Sequence, residues 1–228
     1  MNAYATRSRH PVIIATGEKS LDQMDFQLPG PIELEWRRQY RSGDARSDGW
    51  FGQGWTHLLA TELWIQDDVL HYWDEQGREV VLPAIAVGQE HFQAYEQFTL
   101  THPSANHWAL RHNQGLTHHF RQRHTKQWRL PLEVIQDRNL RRILLQFNDR
   151  NFGDGFDAQA APPRPHSLID SAGRKLQLLW TDQKQLSQVV LDSGDKPVVL
   201  ASYRFRHAAG LPDLLSHTDA NGHTRTYA

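Results

Sequence analysis

From Ile32 to Tyr40 every even position is apolar or aromatic except one, Arg38. A period of two places Ile32, Leu34, Trp36, Arg38 and Tyr40 on one face of an extended strand. The chain is therefore expected to build sheets with one face buried and one face wet. The same grammar recurs downstream. Leu63-Trp64-Ile65 and Val69–Trp73 flank Gln66-Asp67-Asp68 as a hairpin, and Asp74-Glu75-Gln76-Gly77-Arg78 turns the chain into Val80-Val81-Leu82. Further hairpins are expected around Asn113-Gln114-Gly115, Asp137-Arg138-Asn139 and Asp219-Ala220-Asn221-Gly222. Strands are predicted at about 30–42, 62–66, 69–74 and 78–83, with at most short helices. Val87–Leu100 has aromatic residues near helical spacing but no framing caps, so strand or loop reads at least as well there.

Composition narrows the function classes. Apolar residues make up 39% and mean hydropathy is −0.67, lean against the roughly 45–50% of compact globules. Much wet surface follows. With 25 basic against 26 acidic residues, there is no electrostatic footprint for nucleic acid or an anionic membrane. The absence of cysteine removes disulfides, thiolate nucleophiles and thiolate-bound zinc. Val12-Ile13-Ile14-Ala15 is too short for a signal core or a membrane span. A cysteine-free chain fits folding in a cytosol, and export from it would need a route without a conventional signal peptide.

Asn151–Pro165, rich in Gly, Ala and Pro, reads as a loop or linker. It divides the chain into a front part, 1–150, and a back part, 166–228. The back part carries an imperfect repeat: Asp170-Ser171-Ala172-Gly173-Arg174 leads into Leu176–Trp180, and Asp219-Ala220-Asn221-Gly222-His223 leads into Thr224–Tyr227. One such hairpin cannot bury its face alone, so units must stack side by side.

Tyr203, Gly210, Leu214, Asp219, Gly222 and Tyr227, with small slips in spacing, resemble the Rhs or YD repeat. The front part carries a sharper series: His10-Pro11-Val12, Ala15-Thr16-Gly17, Asp25-Phe26, Leu28-Pro29-Gly30-Pro31, Arg38-x-Tyr40-x-Ser42 and Gly52-x-Gly54-Trp55. In that order they resemble the domain that opens the repeat region of Rhs polymorphic toxins. The resemblance implies an all-β, antiparallel cocoon around a C-terminal toxin. Its implied partners are the rest of the shell, the enclosed toxin, a type VI secretion spike with a PAAR tip, and a chaperone. These 228 residues contain no PAAR region, no toxin and no DPxGxxxxDxD-type self-cleavage motif, so the expectation is a first wall of casing without cargo or lock. Asp137-Arg138-Asn139-Leu140 departs from the repeat by carrying Leu where Gly is favoured.

No candidate chemistry rises above a structural role. Arg38 on an inward-facing row requires a buried carboxylate or several carbonyls, and it is expected to pin a neighbouring strand. Gly52-Gln53-Gly54 lacks the helix that a phosphate loop needs, so it reads as a tight turn before an aromatic plug, Trp55. Six of the 14 histidines fall at His102, His107, His112, His118, His119 and His124. The adjacent pair His118-His119 would point to opposite strand faces and cannot chelate together. Carboxylates such as Asp67, Asp137, Asp170, Asp182 and Asp219 sit in turns, bonding their own backbone. No Ser-centred elbow, HExxH or P-loop occurs. The expectation is no enzyme, no cofactor and no metal. The residues expected to carry the structural motif are Asp25, Phe26, Pro29, Gly30, Arg38, Tyr40, Gly52, Gly54, Trp55, Asp74, Gly77, Arg78, Asp170, Gly173, Arg174, Tyr203, Gly210, Asp219, Gly222 and Tyr227. The alternative is a carbohydrate-binding domain that presents Trp36, Trp50, Trp55, Trp64 and Trp73 to solvent, because aromatic faces stack on apolar ligand surfaces.

Overall fold

The computed structural model describes residues 17–44, 46, 48–67, 69–123, 129–148, 163–208 and 211–227. His10-Pro11-Val12, Ala15-Thr16, His124 and Gly210 lie outside the described residues, as does most of the Pro/Gly-rich break. The described chain is nearly all strand, and its one helical element is a single 3-10 turn at Leu58–Ala60.

Three strands form a small front leaf: β1 (Ser20–Leu28), β2 (Leu34–Arg41) and β3 (Trp55–His57), antiparallel in that order. A second trio is β4 (Glu62–Gln66), β5 (Val69–Trp73) and β6 (Glu79–Pro83). The rest is a meander of twelve strands: β7 (Glu90–Gln93), β8 (Phe98–Ser104), β9 (His107–His112), β10 (Thr117–Arg121), β11 (Arg129–Gln136), β12 (Arg142–Phe147), β13 (Pro165–Ile169), β14 (Lys175–Trp180), β15 (Leu186–Asp192), β16 (Val198–Ala208), β17 (Leu211–Asp219) and β18 (Thr224–Thr226). Each pairs antiparallel with its neighbour in sequence. The β4–β6 trio joins the meander where Arg129, Leu130 and Pro131 of β11 pair with Trp64, Leu63 and Glu62. Across the Pro/Gly-rich break, Leu144 and Leu145 of β12 pair with Ile169 and Leu168 of β13, so the sheet runs on from front to back.

The period-two reading of 32–40 is realised: Ile32, Leu34, Trp36 and Arg38 are buried, while Glu33 and Glu35 are exposed. One core then runs through both layers, from Leu34 and Trp36 to Leu110, Leu132, Leu168, Leu176 and Val189.

The Asp-x-x-Gly signature is one turn used repeatedly. In turns 74–78, 112–116, 137–141, 170–174, 181–185 and 219–223 the first N–H donates to the fifth carbonyl at 2.8–3.0 Å. The fourth N–H donates to the first carbonyl at 2.9–3.1 Å. That is a tight turn closed by a left-handed residue, a common three-residue hairpin connection. Where Asp leads, its Oδ1 accepts from the third and fifth N–H at 2.8–2.9 Å. Arg78 and Arg174 then fold back on Oδ2 at 2.8 and 2.6 Å. The fourth position has φ of +85° at Gly173 and +64° at Leu140. Leu140 therefore fills the glycine's place at a steric cost, and its side chain is 68% exposed. Leu140→Gly is expected to stabilise by about 0.5–1 kcal/mol, relieving left-handed strain at little loss of burial. A urea midpoint that falls instead would assign Leu140 a packing role.

Candidate functional site

Five of the signature residues, Asp25, Arg38, Trp55, Tyr203 and Tyr227, converge on one buried ion pair, between Arg38 and Asp25. Two features aim them. Arg38 takes the inward face by strand alternation. Asp25 sits at a bulge, because Met24 pairs with Arg37 while Phe26 pairs with Trp36. A bulge inserts an unpaired residue and re-aims its side chain, and here the carboxylate turns inward. Both side chains are fully buried. Arg38 Nε donates to Asp25 Oδ2 at 2.6 Å and Nη2 to Oδ1 at 2.8 Å, a two-point grip.

The later strands complete the shell around the pair. From β16, the Tyr203 hydroxyl donates to Asp25 Oδ2 at 2.6 Å and accepts from Trp36 Nε1 at 2.9 Å. Just past β18, the Tyr227 hydroxyl accepts from Arg38 Nη2 at 3.0 Å. His217 of β17 brings Nδ1 to 3.4 Å from Asp25 Oδ1 and stacks on Tyr203. Among the described residues Arg38 Nη1 has no hydrogen-bond partner. The guanidinium carbon lies 4.6 Å from the centre of Trp55, 5.1 Å from Tyr203, 5.4 Å from Phe51 and 5.7 Å from Tyr227. Ring faces so placed compensate the side of the cation that Asp25 and Tyr227 do not reach.

Burial alone would weaken Arg38's hold on its proton. The Asp25 hydrogen bonds and the fields of Tyr203, Asp25 and Tyr227 outweigh it and hold the group above its ordinary range. Burial, then Asp25, raises the Tyr203 phenol. His57 is pushed down to about 3, first by burial and then by Arg38. It is a neutral cap: its Nδ1 accepts from Leu59 N at 3.0 Å. Arg38 is thus held charged, and Tyr203 and His57 neutral. That suits a fastener and not a proton carrier.

Other signature residues seat the front leaf on the later strands. The Ser171 hydroxyl accepts from Ile32 N at 2.8 Å and donates to Ile32 O at 2.7 Å. Arg174 Nη2 donates to Pro29 O at 2.6 Å. A Cβ on Gly30 would lie 3.0 Å from the Ser171 hydroxyl. Gln53 N donates to Pro212 O at 3.0 Å, and Leu186 N to Trp50 O at 2.8 Å. Phe26 stacks on Trp36 at 5.2 Å, and Tyr40 meets Trp55 at a tilt, with ring centres 5.3 Å apart. The Gly77 turn abuts the Asp44 carboxylate. In the sequence Arg38 and Asp25 belong to separate motifs, and nothing there marks Phe51, His57 or His217 as part of the site. An inward Arg demands a carboxylate, and Asp25 between Met24 and Phe26 is the nearest carboxylate that interrupts an apolar pattern. That was the available signal.

The remaining candidates disperse. Arg129 bonds Glu62 and Asp48, and Arg46 bonds Glu62 at 2.7 Å, tying β4 to β11. His118 and His119 do point to opposite faces, bonded to His112 and His107. Among the described residues no three metal-capable side chains gather, and no helix is long and apolar enough to cross a membrane. Trp36, Trp50 and Trp55 are buried. Trp64 and Trp73 are half-buried, covered by His71 and Arg46. A solvent-facing tryptophan row, which the carbohydrate reading needs, is not what these five positions make.

Comparisons with known proteins agree with this architecture. Residues 9–82 match the family described as "Domain of unknown function (DUF6531)". The chain is 34% identical over 95 residues to Double-stranded DNA deaminase toxin A of Burkholderia cenocepacia (strain H111), a match covering 40% of this chain and 7% of the relative. Two crystal structures, TcdB2-TccC3-Cdc42 and TcdB2-TccC3-TEV, share the fold over 92% of this chain and 15% of theirs, each with a TM-score of 0.51 and 12% identity. The chain thus spans a small fraction of the relatives it matches. In its opening motifs, its repeated turns and its antiparallel meander the chain is similar to proteins of the Rhs/YD-repeat type.

Proposed function

We propose that this chain forms the opening wall of a casing that encloses a C-terminal toxin. The observation that carries the reading is the Arg38–Asp25 pair, which fastens the front leaf to Tyr203 and Tyr227 of the last strands. Such a fastener makes 1–150 and 166–228 one wall, with 151–165 as the link between them. It does what a casing needs and adds nothing a catalyst would use. Its partners on this reading are the rest of the shell and the enclosed toxin. Delivery by a type VI spike with a PAAR tip and a chaperone, after folding in the bacterial cytoplasm, is the route we propose with it, supported by the family resemblance.

Limited proteolysis of the intact gene product that carries this chain tests the reading. The region beyond the shell is expected to be protected in the wild type and to become cleavable in Arg38→Ala. Free cleavage of that region in the wild type, or equal protection in both, would overturn it.

A further inference from the structure

The β9–β10 hairpin carries two imidazole–imidazole hydrogen bonds, one on each face. His107 Nε2 and His119 Nδ1 lie 2.9 Å apart, with ring centres at 5.1 Å. His112 Nε2 and His118 Nδ1 lie 3.2 Å apart, with ring centres at 4.3 Å. Both are diagonal cross-strand pairs in the register His118–Leu110, His119–Ala109. Among the described residues none of the four rings bonds a carboxylate.

Such a bond tolerates one added proton, because an imidazolium still donates to a neutral ring. A second added proton leaves two cations and no acceptor. The surroundings oppose even the first. Around His107 and His119 stand Arg121 of β10, Arg142 of β12 and His102 of β8. Arg121 shares Glu133 with Arg123, and Arg111 of β9 is already paired with Glu90 of β7. His112 and His118 face Phe98 of β8 and Ile135 of β11. At the neighbouring turn Arg138 lies against Gly115, and Asp137 bonds its own turn. Burial, then His107, Arg121 and Arg142, pushes His119 down to about 4. Burial, then the neighbouring histidines, pushes His118 down well below its usual value.

These pairs sit at a seam. Ladder pairing between β10 and β11 slips between His119 and Phe120. Beyond Leu132, β11 abandons β10 and pairs with β4. Strands β7 to β10 are thus a four-strand block whose sheet pairing to the rest is this one interrupted ladder, beside the packing of Tyr72 on Phe98 and Phe120 and the Arg78–Glu96 ion pair. We propose that this block is an acid-releasable flap: protonation of the paired histidines on both faces opens it along the β10–β11 seam while strands β13 to β17 stay folded.

The sign follows from linkage. Histidines lowered by folding bind protons more readily when the block opens, so opening becomes easier as pH falls through the ordinary histidine value of about 6.5. Between pH 7.5 and 5.0 His119, pushed to about 4, multiplies the opening equilibrium about thirtyfold, and His118 acts in the same direction. Hydrogen exchange at both pH values, corrected for intrinsic rates, reads this out. Amides of β7 to β10 are expected to lose at least about thirtyfold protection at pH 5.0 while β13 to β17 keep theirs, and the His118→Gln/His119→Gln double variant is expected to flatten the response. Uniform loss over the whole sheet, no loss, or an undiminished loss in that variant would overturn the proposal. If the variant does not fold, side-chain NMR of the wild-type histidines decides. Two coupled steps per pair below the ordinary value support the proposal, and independent titration near 6.5 refutes it.

Discussion

Arg38→Ala is expected to lower stability by about 3–5 kcal/mol, because it strands the fully buried Asp25 carboxylate without its partner. Part of the loss is packing, since Trp55, Phe51, Tyr203 and Tyr227 close on the guanidinium. Asp25→Ala is expected to cost a similar amount, as it leaves a buried cation among rings. The two causes separate in the double replacement Arg38→Met/Asp25→Leu, which removes both charges and refills the space. Apolar replacement of a buried ion pair is often neutral or better, so this variant is expected to recover most of the loss in urea unfolding. If it is as unstable as the single variants, the pair's role lies in positioning Tyr203 and Trp36 and not in compensating charge.

The second large effect is expected at Gly52. Its φ is +80°, and a Cβ there would lie 2.4 Å from the Pro212 carbonyl oxygen and 3.0 Å from its carbon. Those are backbone atoms of β17, and Gln53 N already donates to that same oxygen. They cannot swing aside as a flexible side chain would. Gly52→Ala must therefore push the front leaf off β17, at a cost of about 3 kcal/mol or more from strain and lost packing. Gly173→Ala is the control. Its φ is +85°, yet nothing lies within 4 Å of the added Cβ, so only the left-handed backbone is penalised, by about 1–2 kcal/mol. Equal midpoints for the two variants would show that the leaf does not press on β17 as described.

The strands were legible because their causes are local. Alternation and turn residues mark 62–66, 69–73 and 79–83 almost to the residue, and even Leu140 kept its turn because Asp137 still organises it. What could not be read is long-range. Nothing near Glu62 says that it pairs with Pro131, or that the front leaf lies on strands more than a hundred residues away. The bulge at Asp25 depends on the pairing register, and a one-residue slip would send that carboxylate to the other face. The site was therefore visible as a demand, an inward arginine needing an anion, without the address of the group that meets it.

The central claim is that the front leaf and the repeat strands share one buried fastener. A double-mutant cycle between Asp25→Asn and Tyr203→Phe, measured by urea unfolding, tests it most directly. The two side chains meet at 2.6 Å across 178 residues of sequence. The account predicts a coupling of about 1–2 kcal/mol, as for a buried charge-assisted hydrogen bond. Additive losses, with coupling near zero, would mean that the leaf and the repeats are held by something else.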